Sequence, residues 1–174
     1  MRSLALAVLV STLTPLAVSA QAPAPAPETA KLGYFEGTWK TDGEDQKGPF
    51  GPGGKMSGTE KCEWFEGRFA LVCHANMVTP AGKGKSMSTY TYNAAKKTYS
   101  FDGIDSFGAD ISASGEFTDG VWRWISVPAA MPDGMVSVRY TVTPVSDREY
   151  TYTWEYARNK MAWQPGGKGR ATKN

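Results

Sequence analysis

Two cysteines are the residues of this chain best suited to covalent chemistry. Cys62 and Cys73 fall in residues 59–78, which are predicted to form two strands joined near Glu66-Gly67-Arg68. A two-residue turn at Gly67-Arg68 places the cysteines directly opposite each other, whereas a turn at Glu66-Gly67 offsets them by two residues and requires a bulge. An even number of cysteines in an exported chain favours a disulfide, so we predict that Cys62 and Cys73 are bonded.

A metal site is the competing interpretation of the same segment. Cys62, Cys73 and His74 could supply three ligands of an open zinc site from neighbouring strands. Cys73 and His74 are adjacent, however, and adjacent residues of a regular strand face opposite sides of the sheet. We therefore favour the disulfide and expect neither a metal nor a cofactor.

Few other residues are arranged for catalysis. His74 is the only histidine, and no serine lies in a nucleophile-elbow sequence that would complete a Ser-His-Asp arrangement. Asp102, Asp105 and Asp110 surround a predicted turn and would suit an acid–base pair or calcium, although aspartates in hairpin connections more often only form the turn. We expect no catalytic residue, and we keep a hydrolase or isomerase using Asp105 or His74 as an alternative hypothesis.

The aromatic residues are the largest chemical resource of the chain, which has six tryptophans and eight tyrosines. They can fill a core, or they can line a cavity for an apolar or amphipathic molecule. The inward face cannot be assigned without the strand register, because a slip of one residue inverts it. The residues that we predict to line a ligand site are Tyr90, Tyr99, Phe101, Trp122, Trp124, Tyr140 and Trp154.

Short strands with period-two patterning must position these side chains. Tyr150, Tyr152 and Trp154 share one face of a predicted strand, and Val138 and Tyr140 share a face of the strand before it. Eight to ten such strands follow one another, joined by turns and with no convincing helix between them, and this pattern predicts an up-and-down barrel or a sandwich. Because a barrel leaves no exposed edges, we predict an all-β, antiparallel up-and-down barrel of eight to ten strands.

The two ends of the chain have different compositions from the middle. Residues 1–20 have the positive start, apolar centre and small terminal residues of a cleaved signal peptide, and their apolar run is too short to span a bilayer. We therefore expect a periplasmic or secreted protein without a transmembrane segment in its mature form. The predicted domains are a Pro/Ala-rich linker at 21–31, the barrel at 32–164, and a flexible basic tail at 165–174.

Two further segments and the net charge complete the predictions. Residues 42–58 are rich in glycine and proline and are predicted to be a long loop that could cover the open end, with Phe50 and Met56 as its apolar contacts. Residues 161–163 could add one short strand. The formal net charge of +2 gives no global field to attract nucleic acid, so we expect no nucleic-acid partner.

The first predicted strand begins with a Gly-x-Trp step in Phe35-Glu36-Gly37-Thr38-Trp39-Lys40, and Tyr92-Asn93, Asp105-Ser106-Phe107-Gly108 and Ser114-Gly115 follow in order. The Gly-x-Trp step is similar to the start of the first barrel strand in the calycin superfamily of lipocalins and fatty-acid-binding proteins. The ordered set resembles an exported bacterial lipocalin-like family of unknown function. The resemblance implies a barrel whose base is closed by Gly37 and Trp39 under an arginine of a late strand, for which Arg158 is the choice and Arg139 the alternative.

This resemblance and the aromatic content lead to one functional hypothesis. We expect an exported lipocalin-like protein that binds a small hydrophobic or amphipathic ligand in its barrel and is not an enzyme. The alternative is a protein–protein interaction module of the cell envelope, with a filled core and an aromatic outer face. The sequence does not indicate the oligomeric state.

Overall fold

The computed structural model describes residues 24–174, so the predicted signal peptide at 1–20 and the first linker residues lie outside the described residues. The described chain contains eleven strands and two 3₁₀ helices. The helices are Pro27–Phe35 and Glu66–Arg68, and the strands are β1 (Gly37–Asp45), β2 (Gly54–Trp64), β3 (Ala70–Thr79), β4 (Gly82–Asn93), β5 (Thr98–Asp105), β6 (Asp110–Thr118), β7 (Val121–Ser126), β8 (Ala129–Met131), β9 (Gly134–Ser146), β10 (Glu149–Arg158) and β11 (Gln164–Lys173).

Ten of these strands form one closed antiparallel barrel. Strands β1 to β7 pair in chain order, β7 pairs with β9, and β9 pairs with β10. Strand β11 pairs with both β10 and β1, which closes the ring. Strand β8 pairs only with β9 and stands outside the ring. The predicted all-β up-and-down barrel is therefore confirmed. No helix among the described residues has the length and apolar character needed to cross a membrane.

The Pro27–Phe35 helix closes one end of the barrel. Its residues Leu32 and Phe35 are buried together with Trp39, and the Trp39 indole N–H donates to the Phe35 carbonyl oxygen at 2.8 Å. The Tyr99 hydroxyl donates to the Glu28 carbonyl oxygen at 3.0 Å, which ties the start of the helix to β5. The predicted linker at 21–31 is therefore wrong for residues 27–31, which belong to this helix.

Trp39 lies under a cation, but the cation is not the predicted one. The Lys173 ammonium lies 4.8 Å from the Trp39 ring and donates to the Tyr34 carbonyl oxygen at 3.2 Å. Gly37, with a φ of +108°, packs its Cα against the Lys173 side chain. Arg158 ends β10 at the opposite end of the barrel, where it forms an ion pair with Asp133 at 3.3 Å. The prediction of Arg158 as the closing residue is therefore wrong.

The predicted flexible tail at 165–174 is also wrong, because it forms strand β11. Basic residues Lys168 and Arg170 point outward, and the small residues Gly167, Gly169 and Ala171 point inward. A Cβ on Gly169 would meet the Tyr152 hydroxyl and the Asp42 carbonyl. The glycines therefore make room for large aromatic rings that lie across this strand.

The predicted loop at 42–58 is much shorter than expected. Strand β1 continues to Asp45 and β2 begins at Gly54, which leaves residues 46–53 as the connection. The Phe50 ring packs 5.5 Å from the Trp154 ring, as a covering loop would, whereas Met56 lies within β2. Residues 161–163 are not a strand; they follow a turn at Asn159 and Lys160 that leads into β11.

The predicted disulfide is present. Cys62 pairs directly with Cys73 in the β2–β3 ladder, and their sulfurs are bonded. The register matches a turn centred on Gly67-Arg68, but the connection is a longer 3₁₀ turn in which the Phe65 amide donates to the Ala70 carbonyl at 2.8 Å. Gly67 and Arg68 both have positive φ, which this turn requires.

We expect Gly169→Val to destabilise the fold. The valine side chain has no space between Tyr152 and the β1 backbone, and overpacking of this kind costs about 1–3 kcal/mol. Urea unfolding followed by tryptophan fluorescence would measure the change. The matched control is Lys168→Val, which replaces an exposed outward residue of the same strand and should change the unfolding free energy little.

We expect the double variant Cys62→Ala/Cys73→Ala to lose about 2–3 kcal/mol of stability, because the disulfide closes a loop with a sequence separation of 11 residues. Guanidinium unfolding of the variant and of the oxidised wild-type protein would measure the loss. An unchanged midpoint would show that the cross-link adds nothing to the pairing of β2 with β3.

Candidate ligand-binding site in the barrel

The strand register decides which side chains point into the barrel. Directly paired residues of an antiparallel ladder point to the same side of the sheet. Trp39 is fully buried inside the barrel, and it pairs with Glu60, which pairs with Ala75, which in turn pairs with Ser86. This row therefore runs along the inner wall, from the closed end towards the open one.

All seven aromatic residues predicted to line a ligand site share this inner face. One paired row joins Tyr90, Phe101 and Ala113, and another joins Tyr99, Gly115, Trp124, Tyr140 and Trp154. Trp122 stacks on Trp124 with ring centroids 5.9 Å apart. The sequence alone could not assign this face, because it does not give the strand register.

The seven residues divide into two levels. Tyr99, Trp122 and Trp124 are 4%, 1% and 5% exposed, so they form core rather than a binding surface. The other four are only partly buried on the inner wall: Tyr90, Phe101, Tyr140 and Trp154. Of these, Tyr90 stacks on Phe35 of the closing helix at 5.6 Å and so lies at the base of the candidate site.

Glu60 is the residue that the sequence analysis missed. It projects from β2 into the barrel, is enclosed on almost all sides, and keeps limited solvent access. In the sequence it stands two residues before Cys62, whose side chain is fully buried, so the period of two places both on the inner face. That relation is a signal from which Glu60 could have been found.

Three tyrosines from other parts of the wall approach the same interior region. Tyr90 lies on β4, Tyr140 on β9 and Tyr150 on β10, and the charge of Glu60 acts on all three hydroxyls. We call Glu60, Tyr90, Tyr140 and Tyr150 the polar cluster. Within residues 24–174, neither the carboxylate nor any of the three hydroxyls has a protein hydrogen-bond partner, and none is sealed from solvent.

Some other tyrosines have hydrogen-bond partners. The Tyr34 hydroxyl donates to the Glu149 carbonyl at 2.9 Å, and the Tyr152 hydroxyl approaches the Met56 sulfur at 3.6 Å. Tyr92 and Tyr156, which are also partly buried on the inner face, form no such bond within the described chain, so the polar cluster is distinguished by its position around Glu60 and not by the lack of partners. Its groups are not sealed from solvent, so a further partner can reach them.

Sequence comparison places the chain in a family. The family described as "Protein of unknown function (DUF1579)" matches residues 24–165. The chain belongs to the DUF1579 family. No curated protein matches the chain.

Solved structures share the fold of this DUF1579 protein at low sequence identity. The crystal structure of Rv2717c from M. tuberculosis is 14% identical, with a TM-score of 0.61 over 86% of this chain and 99% of that one. The S-type phycobiliprotein lyase CPES from Guillardia theta is 5% identical, with a TM-score of 0.57 over 83% of this chain and 91% of that one. These similarities show that the antiparallel barrel fold is shared with both proteins.

Burial controls the acidity of the polar cluster. Desolvation raises the pKa of the Glu60 carboxyl from its usual 4.5 to about 7. Desolvation also raises the pKa of the Tyr90, Tyr140 and Tyr150 hydroxyls well above the usual 10, and the charge of Glu60 adds to the effect. The tyrosines are therefore neutral at every physiological pH, whereas Glu60 changes charge near neutrality.

The structure does not bring together the residues proposed for a metal site or for catalysis. Glu60, Cys62 and Cys73 bring their ligand atoms within 4.8 Å of one another, but the two sulfurs are bonded to each other and cannot act as thiolates. His74 is exposed and pairs with Lys61 and Met87 on the outer face. The zinc set of Cys62, Cys73 and His74 is therefore divided between the two sides of the sheet.

The aspartates near the predicted turn have structural roles. The Asp105 carboxylate accepts from the backbone amides of Phe107 and Ala109 at 2.8 and 3.0 Å. The Asp102 carboxylate accepts from the Ser112 hydroxyl at 2.6 Å on the outer face. Neighbouring carboxylates on opposite faces do not form an acid–base pair, and Asp105 is a turn-forming residue.

Two grooves lie on the outer surface of the barrel. One of about 510 Å³ crosses β1 to β4 and is lined by Lys40, Thr59, Asn76 and Lys85. The other, of about 900 Å³, crosses β10, β11, β1 and β2 and carries charges of both signs. Both are open to solvent, whereas the aromatic rings and Glu60 share the inner face, so we place the candidate site inside the barrel.

We expect the stability of this protein to depend on pH through Glu60. Its pKa is higher in the folded state than the usual 4.5, so the stabilising proton is fully bound below about pH 4.5 and is lost as the pH rises through about 7. Glu60→Gln should remove roughly 1–3 kcal/mol of the difference in unfolding free energy between pH 5 and pH 8.

Urea unfolding at the two pH values measures this difference. Glu63→Gln is the matched control, since Glu63 lies on the same strand but is exposed and pairs with Lys61. Equal pH dependence in the Glu60→Gln protein and the wild-type protein would contradict the assignment.

Proposed function

We propose that this DUF1579 protein binds a small hydrophobic or amphipathic ligand in the open half of its barrel and performs no catalysis. The polar cluster carries the proposal. Glu60 and the hydroxyls of Tyr90, Tyr140 and Tyr150 lie on the inner face without a hydrogen bond from the described chain and keep access to solvent, so a ligand can reach them. Hydrogen bonds to groups in such a poorly solvated interior are stronger than in water.

The walls around the cluster suit an apolar ligand body. The Tyr140 and Tyr152 rings are stacked at 5.4 Å, and Tyr90 packs against Phe101 at 5.1 Å. The small residue Ala75 lies on the same inner wall, directly beside Glu60. A ligand site of this kind combines a mainly apolar lining with a few converging polar groups, as small-molecule sites generally do.

Export is part of the same proposal. Residues 1–20 have the composition of a signal peptide, and Cys62 and Cys73 form a disulfide. Disulfides persist mainly in oxidising compartments, so the bond supports a periplasmic or secreted location.

The alternative function, a cell-envelope interaction module, requires an aromatic outer face. In the described part of the chain, the exposed phenylalanines are instead distributed over three connections at both ends of the barrel: Phe50, Phe65, Phe69 and Phe107. The partly buried inner aromatics favour ligand binding over this alternative.

We expect Ala75→Leu to abolish or greatly weaken binding of Nile red, a neutral lipophilic dye. Ala75 pairs with Glu60 on the inner wall, so a larger side chain fills the space beside the polar cluster. Dye fluorescence titration would measure the dissociation constant, with at least a tenfold increase expected from the loss of apolar contact area (about 25 cal/mol per Å²).

Asn76→Leu is the matched control, because Asn76 is the next residue of β3 and is exposed on the outer face. It should leave dye binding unchanged, and a thermal melt would establish that both variants are folded. If Asn76→Leu weakens binding and Ala75→Leu does not, the dye binds the outer groove near Asn76 and the proposal fails.

A further inference from the structure

The charged residues of the barrel are unevenly placed. At the level of the polar cluster, Glu60 is the only charged side chain of the described inner face. Lys173 is the nearest inward cation, but it is held over Trp39 at the closed end by the Tyr34 carbonyl. Arg158 lies at the open rim and is paired with Asp133. No lysine or arginine of the described chain is therefore available to neutralise Glu60.

The groups that face Glu60 from the neighbouring elements are mostly aromatic. Trp39 lies beside it on β1 and Ala75 on β3. Tyr90, Tyr140 and Tyr150 share the inner face with it and lie near enough for its charge to act on their hydroxyls. The Tyr150 ring packs 4.9 Å from the ring of Trp39, the residue paired with Glu60. Asp45, nearer the rim, accepts from the Trp154 indole N–H at 2.9 Å, and Tyr152 is directed at Met56.

This set of atoms has a definite ligand preference. An ammonium group offers three donors and no acceptor, which matches one carboxylate and three phenol oxygens. Aromatic rings also attract cations through their faces, and they do so more strongly in a desolvated site. A carboxylate headgroup would instead bring a second negative charge beside Glu60, where no inner cation offsets the repulsion.

We infer that the barrel selects an amphiphilic amine, with its ammonium group against Glu60 and its hydrocarbon part directed along Tyr140 and Phe101 towards the open end. The inference rests on the proposed function, because it names the chemical class of ligand for the same interior site. It excludes fatty acids as preferred ligands, although the barrel resembles those of fatty-acid-binding proteins.

Protonation gives the inference an additional consequence. Without a cation, burial raises the pKa of Glu60 to about 7, so the carboxyl is partly protonated at neutral pH. An amine that binds as the ammonium form replaces that proton, which is then released to the buffer. Binding of the amine therefore becomes tighter as the pH rises from 6 to 8, whereas binding of a neutral ligand changes little.

Decylamine, decanol and decanoate test the inference because they share one chain and differ in the headgroup. Isothermal titration calorimetry at pH 8, below the micelle-forming concentrations, should give about tenfold tighter binding for decylamine than for decanol, as expected for a charge-assisted hydrogen bond. Decanoate should bind most weakly. Between pH 8 and pH 6 the affinity for decylamine should fall about tenfold as Glu60 becomes protonated.

Glu60→Gln should abolish both the preference for decylamine and the release of a proton, which is measured by repeating the titration in buffers of different ionisation enthalpy. Glu63→Gln, on the outer face of the same strand, should leave both unchanged. A thermal melt would show that each variant is folded.

The outcomes separate this inference from the proposed function. If decanol or decanoate binds as tightly as decylamine, or if Glu60→Gln keeps the amine preference, the inference is wrong while ligand binding in the barrel stands. If none of the three compounds binds the wild-type protein and Nile red also fails, the proposed function and the inference both fall.

Discussion

Closure of the barrel depends on one strand whose inner face carries almost no side chains. Strand β11 must lie beside β10 and β1 while the Tyr152 and Trp154 rings cross its inner surface. Gly166, Gly167 and Gly169 leave them the space, since a Cβ on any of the three would meet one of these rings. Without this strand, β1 and β10 would each expose an unpaired edge. The interior arrangement of the other nine barrel strands follows from that closure, since it fixes which wall faces which.

The closed end and the inner wall of the barrel differ in whether their polar side chains have hydrogen-bond partners. At the closed end, the hydroxyls of Tyr34 and Tyr99 and the indole N–H of Trp39 all donate to backbone carbonyls. On the inner wall, Glu60 and three tyrosines form no such bonds among the described residues and keep access to solvent. The Tyr150 ring packs 4.9 Å from the Trp39 ring, so this cluster begins directly above the closed end. Polar groups that remain accessible beside a closed aromatic base are the strongest structural reason to regard the interior as a binding site.

Local patterns predicted the fold well, and long-range contacts were needed for the site. Period-two patterning along β9 and β10 and the Gly37-x-Trp39 start were sufficient to predict the barrel, whereas the inward face of each strand required the register. The Cys62–Cys73 pairing also followed from a local turn. The prediction of a flexible tail was wrong because glycine density was interpreted as disorder. Small and basic residues in fact alternate strictly in this segment, which reads Gly167, Lys168, Gly169, Arg170 and Ala171.

Glu60 and the cation over Trp39 show a different limit of sequence reasoning. The polar cluster joins β2, β4, β9 and β10, so its members meet only because the ring closes. Lys173 was overlooked because the residues that carry it were assigned to a tail, which left Arg158 as the choice. In both cases the missing information was the position of β11 and not the chemistry of any residue.

The position of Asn174 at the closed end of the barrel has a practical consequence for immobilising the protein. The Pro27–Phe35 helix enters the fold there, and the Asn174 amide donates to the Thr38 carbonyl at 3.0 Å, so the last residue lies at the same end. An affinity tag, a fluorescent fusion or a surface linker joined to Asn174 is thus attached at the base of the barrel. The protein can be immobilised through this residue with the other end of the barrel directed away from the support.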